Sequence, residues 1–168
     1  YLYKSVNNTG ENAMSDMLVK LYELPEMPQT GKDYRIIRPL APDRFRVVEW
    51  VKQNSGTNAA GECEACFAHT PVSMYIAVRG KEIIGYACYD AIAPDFFGPT
   101  RVSMAEQGKG IGKALLFNCL QAMKEKGYAY AIIGSVTGAK TFYEKTVNAI
   151  EIPGSCPGIY RDYLGGEA

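Results

Sequence analysis

The fifteen residues from Val102 to Leu116 decide the fold: Val-Ser-Met-Ala-Glu-Gln-Gly-Lys-Gly-Ile-Gly-Lys-Ala-Leu-Leu. Apolar residues at helical spacing follow the glycines, so the pattern predicts a strand, a turn over residues 107–113 and a long helix. Glycines at alternate positions allow positive φ angles, and the first turn of a helix leaves N–H groups unpaired. We therefore expect this segment, the glycine turn, to bind phosphate oxygens.

Two familiar phosphate-binding motifs do not fit the glycine turn. A Walker A loop would need glycine in place of Gln107 and serine or threonine in place of Ala114. A dinucleotide-binding fingerprint would need its last glycine at Lys113 or at Leu115. ATP hydrolysis and NAD binding are therefore both disfavoured.

Hydrophobic patterning outside the turn predicts a mixture of strands and helices. The predicted helices are a short amphipathic one over 15–24 and four more over 42–54, 62–68, 110–126 and 140–147. The predicted strands cover 34–40, 73–78, 82–90, 96–102, 128–136, 149–153 and 158–164, with Gly98-Pro99 as a bulge or unpaired stretch. This order gives a mixed sheet flanked by helices, of the α/β or α+β class.

Composition narrows the class of protein. A chain of 168 residues fits one domain, and 18 basic against 18 acidic side chains disfavour nucleic acid or anionic membrane as a partner. Five scattered cysteines and the lack of a long apolar run favour a soluble protein of the reducing cytoplasm. We interpret Cys63 and Cys66 as helical neighbours rather than metal ligands, and residues before about Met14 as a tail.

The spacing Gln-x-x-Gly-x-Gly at Gln107, Gly110 and Gly112, after a strand and opening a helix, resembles the acetyl-coenzyme A motif of the GNAT N-acetyltransferases. Val102 at the preceding strand end and the Phe-Tyr pair within 139–145 resemble neighbouring parts of that family. The resemblance implies a mostly antiparallel sheet of six to seven strands, two of them splayed around the pantetheine arm. It covers roughly 34–164, so we divide the chain into an N-terminal extension, 1–33, and an acetyltransferase domain, 34–168.

The same resemblance implies roles for particular residues. Tyr143 would protonate the departing thiolate while Phe142 packs inward, and backbone N–H groups near Val102 would meet the oxyanion. No metal is implied. Acetyl-CoA would be held by Val102, Gln107, Gly108, Lys109, Gly110, Ile111, Gly112 and Lys113.

The general base is not assigned by the sequence. Many members of the family carry a glutamate on the strand before the turn, whereas 96–102 contains no carboxylate. Asp90, Glu62, Glu64 and His69 stay open, although a structural role suits each of them better. The regions 53–62 and 90–97, with Tyr160 and Tyr163, are predicted to form a partly apolar acceptor pocket.

These observations favour an acyltransferase that moves the acetyl group of acetyl-CoA to a primary amine by direct transfer in a ternary complex. The acceptor would be a small molecule or a peptide, and a homodimer stays open. Without a carboxylate on the strand, a non-catalytic module that binds or senses acyl-CoA is the alternative. A mononucleotide-binding protein ranks last.

Overall fold

The computed structural model describes residues 13–165, and the N-terminal tail predicted before Met14 lies almost entirely outside them. Three helices in this range are α1 (Arg44–Cys66), α2 (Ile111–Glu125) and α3 (Lys140–Val147). The strands are β1 (Ser15–Lys20), β2 (Arg35–Ile37), β3 (Met74–Arg79), β4 (Glu82–Tyr89), β5 (Phe96–Val102), β6 (Tyr130–Val136) and β7 (Ile150–Ile152).

The seven strands of residues 13–165 form one sheet in the order β2-β3-β4-β5-β6-β1-β7. All neighbouring strands pair antiparallel except β5 and β6, which run parallel. A sheet that is mixed but mostly antiparallel is the architecture that the sequence predicted.

Helices cover both faces of the sheet because β4 presents apolar side chains to each side in turn. Tyr86 and Cys88 belong to the core beneath α1, whereas Ala87 and Tyr89 belong to the core beneath α2. The second core also takes Tyr143 and Val147 of α3. The sheet is thus held between α1 on one face and α2 with α3 on the other.

Several predicted elements lie where the pattern placed them. Helix α3 has the predicted bounds, and the predicted strands over 73–78 and 82–90 are β3 and β4, joined by a hairpin at Gly80-Lys81. The pairing of β4 with β5 shifts register between Phe97 and Thr100, so Gly98 and Pro99 form the predicted irregularity. The predicted helices 42–54 and 62–68 are two halves of α1, joined across a kink at Gly56.

Two predicted elements are wrong. Residues 15–20 form strand β1 instead of a helix, with Met17 and Val19 buried at alternate positions between β6 and β7. A short apolar run has little periodicity, so tertiary pairing decides its conformation. Residues Gly158–Asp162 form a 3₁₀ turn in place of the predicted strand, since Pro157 and Gly158 lead the chain across the surface rather than along a sheet edge.

The cysteines and acidic groups of the described range form no metal centre. Cys63 and Cys66 lie buried on α1 as free thiols, one turn apart, as predicted. Within 13–165 no three His, Cys, Asp or Glu side chains cluster closely enough to hold a metal ion. None of the helices in that range combines the length and the apolar character required to span a bilayer.

Candidate active site

The site begins where β5 and β6 separate. These parallel strands pair only at Phe96 with Ile132 and at Phe97 with Ile133, although β5 continues to Val102 and β6 to Val136. Beyond Phe97 the two strands diverge and leave a groove, as the resemblance implied. Groove residues come from both strands and from the start of α3: Phe97, Gly98, Thr100, Ile133, Gly134, Ser135, Val136, Thr137, Gly138, Ala139 and Tyr143.

Backbone donors of β5 point towards this groove. Ser103 donates its N–H to the carbonyl of Ile84 on β4, at 2.9 Å between N and O. Because N–H groups alternate in direction along an antiparallel strand, those of Val102 and Thr100 point away from β4, to the side of the groove. They are therefore placed to donate to a ligand lying between the strands.

The glycine turn follows directly at the end of β5. Gly108 and Gly110 have φ angles of 79° and 81°, and a side chain added at either would meet open space within 4 Å. Gly110 is the N-cap of α2, and no side chain caps the helix there, so the first N–H groups of α2 stay available to a ligand. Gln107 instead donates its side-chain amide to the carbonyl of Val102, at 3.3 Å, which ties the turn to the strand end.

A carboxylate beside the turn is neutralised by two cations. Arg79 of β3 donates to both Glu106 oxygens at 2.7 and 2.9 Å, and Lys109 lies 3.0 Å from the same carboxylate. These hydrogen bonds lower the pKa of Glu106 to about 2. The sequence pointed to Lys109 but gave no signal for Arg79, which lies 27 residues away along the chain.

Tyr143 lies in the groove wall. Its side chain is 9% exposed and meets Phe97 edge to face, with ring centroids 6.5 Å apart. Phe142, predicted to pack inward, is 43% exposed, so that prediction is wrong. On the short helix α3 only one of two consecutive residues can face the core, and Tyr143 takes that position with Val147 one turn later.

A second pocket adjoins the groove and shares Phe97, Gly98, Gly134 and Ser135 with it. The three regions predicted for the acceptor meet here. Its other lining residues are mostly apolar or uncharged, with one carboxylate: Met14, Asn58, Glu62, Ile92, Pro99, Tyr160, Tyr163 and Gly165.

Glu62 reaches this pocket from the second half of α1. Burial raises the pKa of the Glu62 carboxyl, an effect that the hydrogen bond from the Tyr163 hydroxyl, 3.3 Å from Oε1, only partly offsets. Burial and the neighbouring Glu62 charge in turn raise the pKa of Tyr163 to about 12. Glu62 is therefore a partly buried carboxylate in the pocket beside the groove, with an uncharged hydrogen-bond donor next to it.

The other candidate bases lie elsewhere. Asp90 is buried and accepts hydrogen bonds from Lys126 at 2.6 Å and from the Tyr128 hydroxyl at 3.1 Å. His69 lies against the backbone carbonyl of Asp90. Glu64 points outward on α1 and pairs with Arg44. The sequence left four candidate bases open, three carboxylates and one histidine. Of these four, Glu62 alone lines the pocket beside the groove.

Several solved structures with the same fold are acetyltransferases by name. A GCN5-related N-acetyltransferase from Sphaerobacter thermophilus is 16% identical, with a TM-score of 0.60, over 83% of this chain and 48% of its own. One from Kribbella flavida is 13% identical, with a TM-score of 0.62, over 82% and 54%. A glucosamine N-acetyltransferase region of a fungal multi-domain GH3 β-N-acetylglucosaminidase is 11% identical, with a TM-score of 0.67, over 83% and 20%.

The chain thus spans about half or less of the length of these solved structures. A search of the curated proteins finds no significant match. The model of the acetyltransferase (GNAT) family, by contrast, matches residues 36–148, about two thirds of the chain, including β5, the glycine turn, α2 and α3. The splayed strands, the turn between β5 and α2, and this match together show that the chain belongs to the GNAT family of acetyltransferases.

Proposed function

We propose that this protein transfers the acetyl group of acetyl-CoA directly to a primary amine within a ternary complex. One observation carries the proposal: the groove beside β5, the strand that runs into the glycine turn, shares four lining residues with a pocket that contains a single carboxylate. A coenzyme in the groove and an acceptor in the pocket would therefore lie next to each other, as direct transfer requires.

The coenzyme side is supported by backbone donors. The N–H groups of Val102 and Thr100 are placed to pair with an amide-containing arm, and Val102 N–H can also stabilise an oxyanion. Helix N-terminal N–H groups of the glycine turn suit a diphosphate. We propose that the diphosphate contacts come from 107–113, with Lys113 adding positive charge while Lys109 shares its charge with Glu106.

Tyr143 is the proposed general acid. A thiol has a pKa of about 8.5 and a phenol one of about 10, so a tyrosine beside the sulfur can protonate the departing thiolate. Its place in the groove wall beside Gly138 and Ala139 supports this role. Phe97 packs against the Tyr143 ring and restricts its orientation.

Glu62 is the proposed general base. An amine with a pKa of about 10 arrives protonated and must lose a proton before it attacks the thioester. A carboxylate whose pKa is raised by burial is a better proton acceptor than an exposed one, and it can act directly or through a water molecule. The remaining walls supply apolar contact, which favours an acceptor with an apolar body.

The acceptor, a small molecule or a peptide amine, is thus proposed by chemical class only. Five cysteines, all free thiols, support a reducing compartment such as the cytoplasm. Its oligomeric state in solution would be a monomer or a homodimer.

Release of free thiol from acetyl-CoA tests the proposal. The assay should use a panel of polyamines, aminoglycosides, amino acids and peptide N-termini, with N-acetylated amine identified by mass. Amine-dependent thiol release is expected with at least one class. Silence across the panel, with coenzyme binding retained, would reject the transferase in favour of a module that binds or senses acyl-CoA.

A further inference from the structure

A separate cleft lies at the far end of α2 from the glycine turn. The fifteen residues of α2 place the two about 20 Å apart along the helix. The cleft has a volume of about 330 Å³, within the range of about 300 to 1,000 Å³ that small-molecule sites occupy. The proposed transfer reaction uses none of the residues that line it: Arg38, His69, Thr70, Pro71, Ser73, Tyr89, Ala122, Glu125 and Lys126.

Arg38 is a half-buried cation in this cleft without a carboxylate partner in the described range 13–165. Its guanidinium donates to the Val72 carbonyl and to the Tyr75 and Tyr89 hydroxyls, the last two at 2.9 and 2.7 Å. These bonds use three of five N–H donors, so two remain. The guanidinium is held rigidly by neutral groups and keeps its full charge for an anion.

Ser73 supplies a second, independent sign of a missing ligand. The residue is 2% exposed, lines the cleft, and its hydroxyl has no hydrogen-bond partner among the described residues. Its backbone is fixed, because the Ser73 carbonyl accepts from Tyr89 N–H at 2.9 Å and its N–H donates to Cys66. A buried hydroxyl without a partner is costly, so an acceptor atom in the cleft would relieve that cost.

The opposite wall limits the charge of the ligand. Glu125 brings a carboxylate at the end of α2, and the charge of Lys126 is matched by the buried Asp90 at 2.6 Å. The carbonyl end of a helix also disfavours anions. A phosphate dianion would meet these negative groups, whereas a molecule with one carboxylate and one ammonium would complement both walls.

We propose that this cleft binds a small α-amino acid, with its carboxylate on Arg38 and Ser73 and its ammonium facing Glu125. The site is independent of the acetyl-transfer groove and of the acceptor pocket. It would give the protein a second small-molecule binding site, on the face of the sheet that α2 covers.

Titration calorimetry on the protein without coenzyme tests the site. The probes are the proteinogenic L-amino acids, the matching amines without a carboxylate, the matching acids without an amine, and inorganic phosphate. At least one amino acid should bind, with a weaker signal from its acid and none from phosphate, and any signal from its amine should be unaffected by Ser73→Ala. Binding by phosphate alone, or by no amino acid, would overturn the proposal.

Variants separate this cleft from the acceptor pocket, where an amino acid could also bind as a substrate. Ser73→Ala removes the unpartnered hydroxyl, so it should fold as well as the parent and weaken binding about tenfold or more, since a hydrogen bond to a charged group is lost. Glu125→Gln should weaken binding several-fold. Glu62→Gln should leave the affinity for the amino acid unchanged. If Glu62→Gln loses binding while Ser73→Ala keeps it, the ligand lies in the acceptor pocket and the proposal is refuted.

Discussion

At the scale of single residues, the role proposed for Glu62 depends on the surroundings of its side chain. The side chain lines a mostly apolar pocket, its carboxylate accepts a hydrogen bond from the Tyr163 hydroxyl, and burial raises its pKa. Two residues further along α1, Glu64 is exposed and paired with Arg44. The same residue type on the same helix therefore has two different chemistries, because the two side chains face different surroundings.

Glu62→Gln should lower kcat/KM for amine acetylation by about 100-fold or more, the usual contribution of a positioned base. Steady-state rates across pH provide the measurement. The parent should lose activity as pH falls through the raised pKa of Glu62, and the variant should lack that acid limb. Glu64→Gln is the matched control and should keep both the rate and the pH profile; an unchanged profile in Glu62→Gln would remove Glu62 from the mechanism.

The same substitution should have the opposite effect on stability. Because the folded-state pKa of Glu62 is raised, folding favours its protonated form, and that contribution is present at low pH and lost as pH rises through the folded pKa. At neutral pH the ionised side chain is therefore a cost that glutamine avoids. Thermal unfolding at neutral pH should show Glu62→Gln to be at least as stable as the parent. A clear loss of stability would mean that Glu62 is a structural residue.

Tyr143→Phe should lower kcat by about 100-fold or more while the affinity for acetyl-CoA stays nearly constant, because the lost interaction belongs to the transition state. Stopped-flow rates and calorimetry measure the two quantities. The control is Tyr130→Phe, which makes the same change at an exposed tyrosine at the other end of β6. Equal turnover in Tyr143→Phe and the parent would exclude Tyr143 as the acid.

At the scale of elements, two glycines position the site in different ways. Gly110 takes the left-handed conformation that turns the end of β5 into the start of α2. Gly56, with φ 89° and ψ 178°, interrupts α1 and sets a separate direction for the half that carries Asn58 and Glu62. The first of these was predicted because turn, strand and helix are consecutive. The kink at Gly56 was not predicted: the sequence indicated two separate helices there. Whether they join into one kinked helix depends on how both halves pack on the sheet.

Gly110→Val should weaken coenzyme binding at least tenfold by placing a branched side chain in front of the helix N–H groups. It should also lower the free energy of unfolding by about 1–2 kcal/mol, the cost of a left-handed backbone for a side chain with a Cβ. Gly80→Val separates the two effects. Gly80 has a φ of 60° and open space around it on the β3–β4 hairpin, so that variant should be destabilised alike and bind coenzyme normally.

Strand β1 shows where local pattern fails as a guide. Its six residues carry apolar side chains at spacings that a short helix also allows. It forms a strand because it pairs with the edge of β6 at five positions. This pairing also buries Met17 and Val19 completely. The same limit applies to the proposed base: no spacing along the chain predicts that α1 brings Glu62 beside Gly98 and Gly134.

At the scale of the whole molecule, the sheet brings together two groups of residues that lie far apart in sequence: those of the groove and glycine turn, and those of the adjoining pocket. Strands β5 and β6, the turn and α3 come from 96–147, whereas Glu62 comes from α1 and Tyr163 from the segment after β7. The family motif and its fold were therefore predictable from one contiguous region. The acceptor pocket, which assembles three separate regions, was predictable in outline only.

A coenzyme that binds the folded protein and not the unfolded chain should stabilise the fold by mass action. At a coenzyme A concentration about 100 times its Kd, the free energy of unfolding should rise by about 2.7 kcal/mol, which raises the Tm by roughly 5–10 °C for a protein of this size. Differential scanning calorimetry measures the shift, with ADP as the comparison ligand. Protection by ADP with none from coenzyme A would favour a mononucleotide-binding protein instead.

The electron density of crystals soaked with acetyl-CoA tests the central claim most directly. We predict the diphosphate within hydrogen-bonding distance of backbone N–H groups of 108–113, the pantetheine arm between β5 and β6, and the thioester between Tyr143 and the pocket that holds Glu62. A coenzyme bound elsewhere, with the gap between β5 and β6 and the glycine turn both empty, would contradict the account.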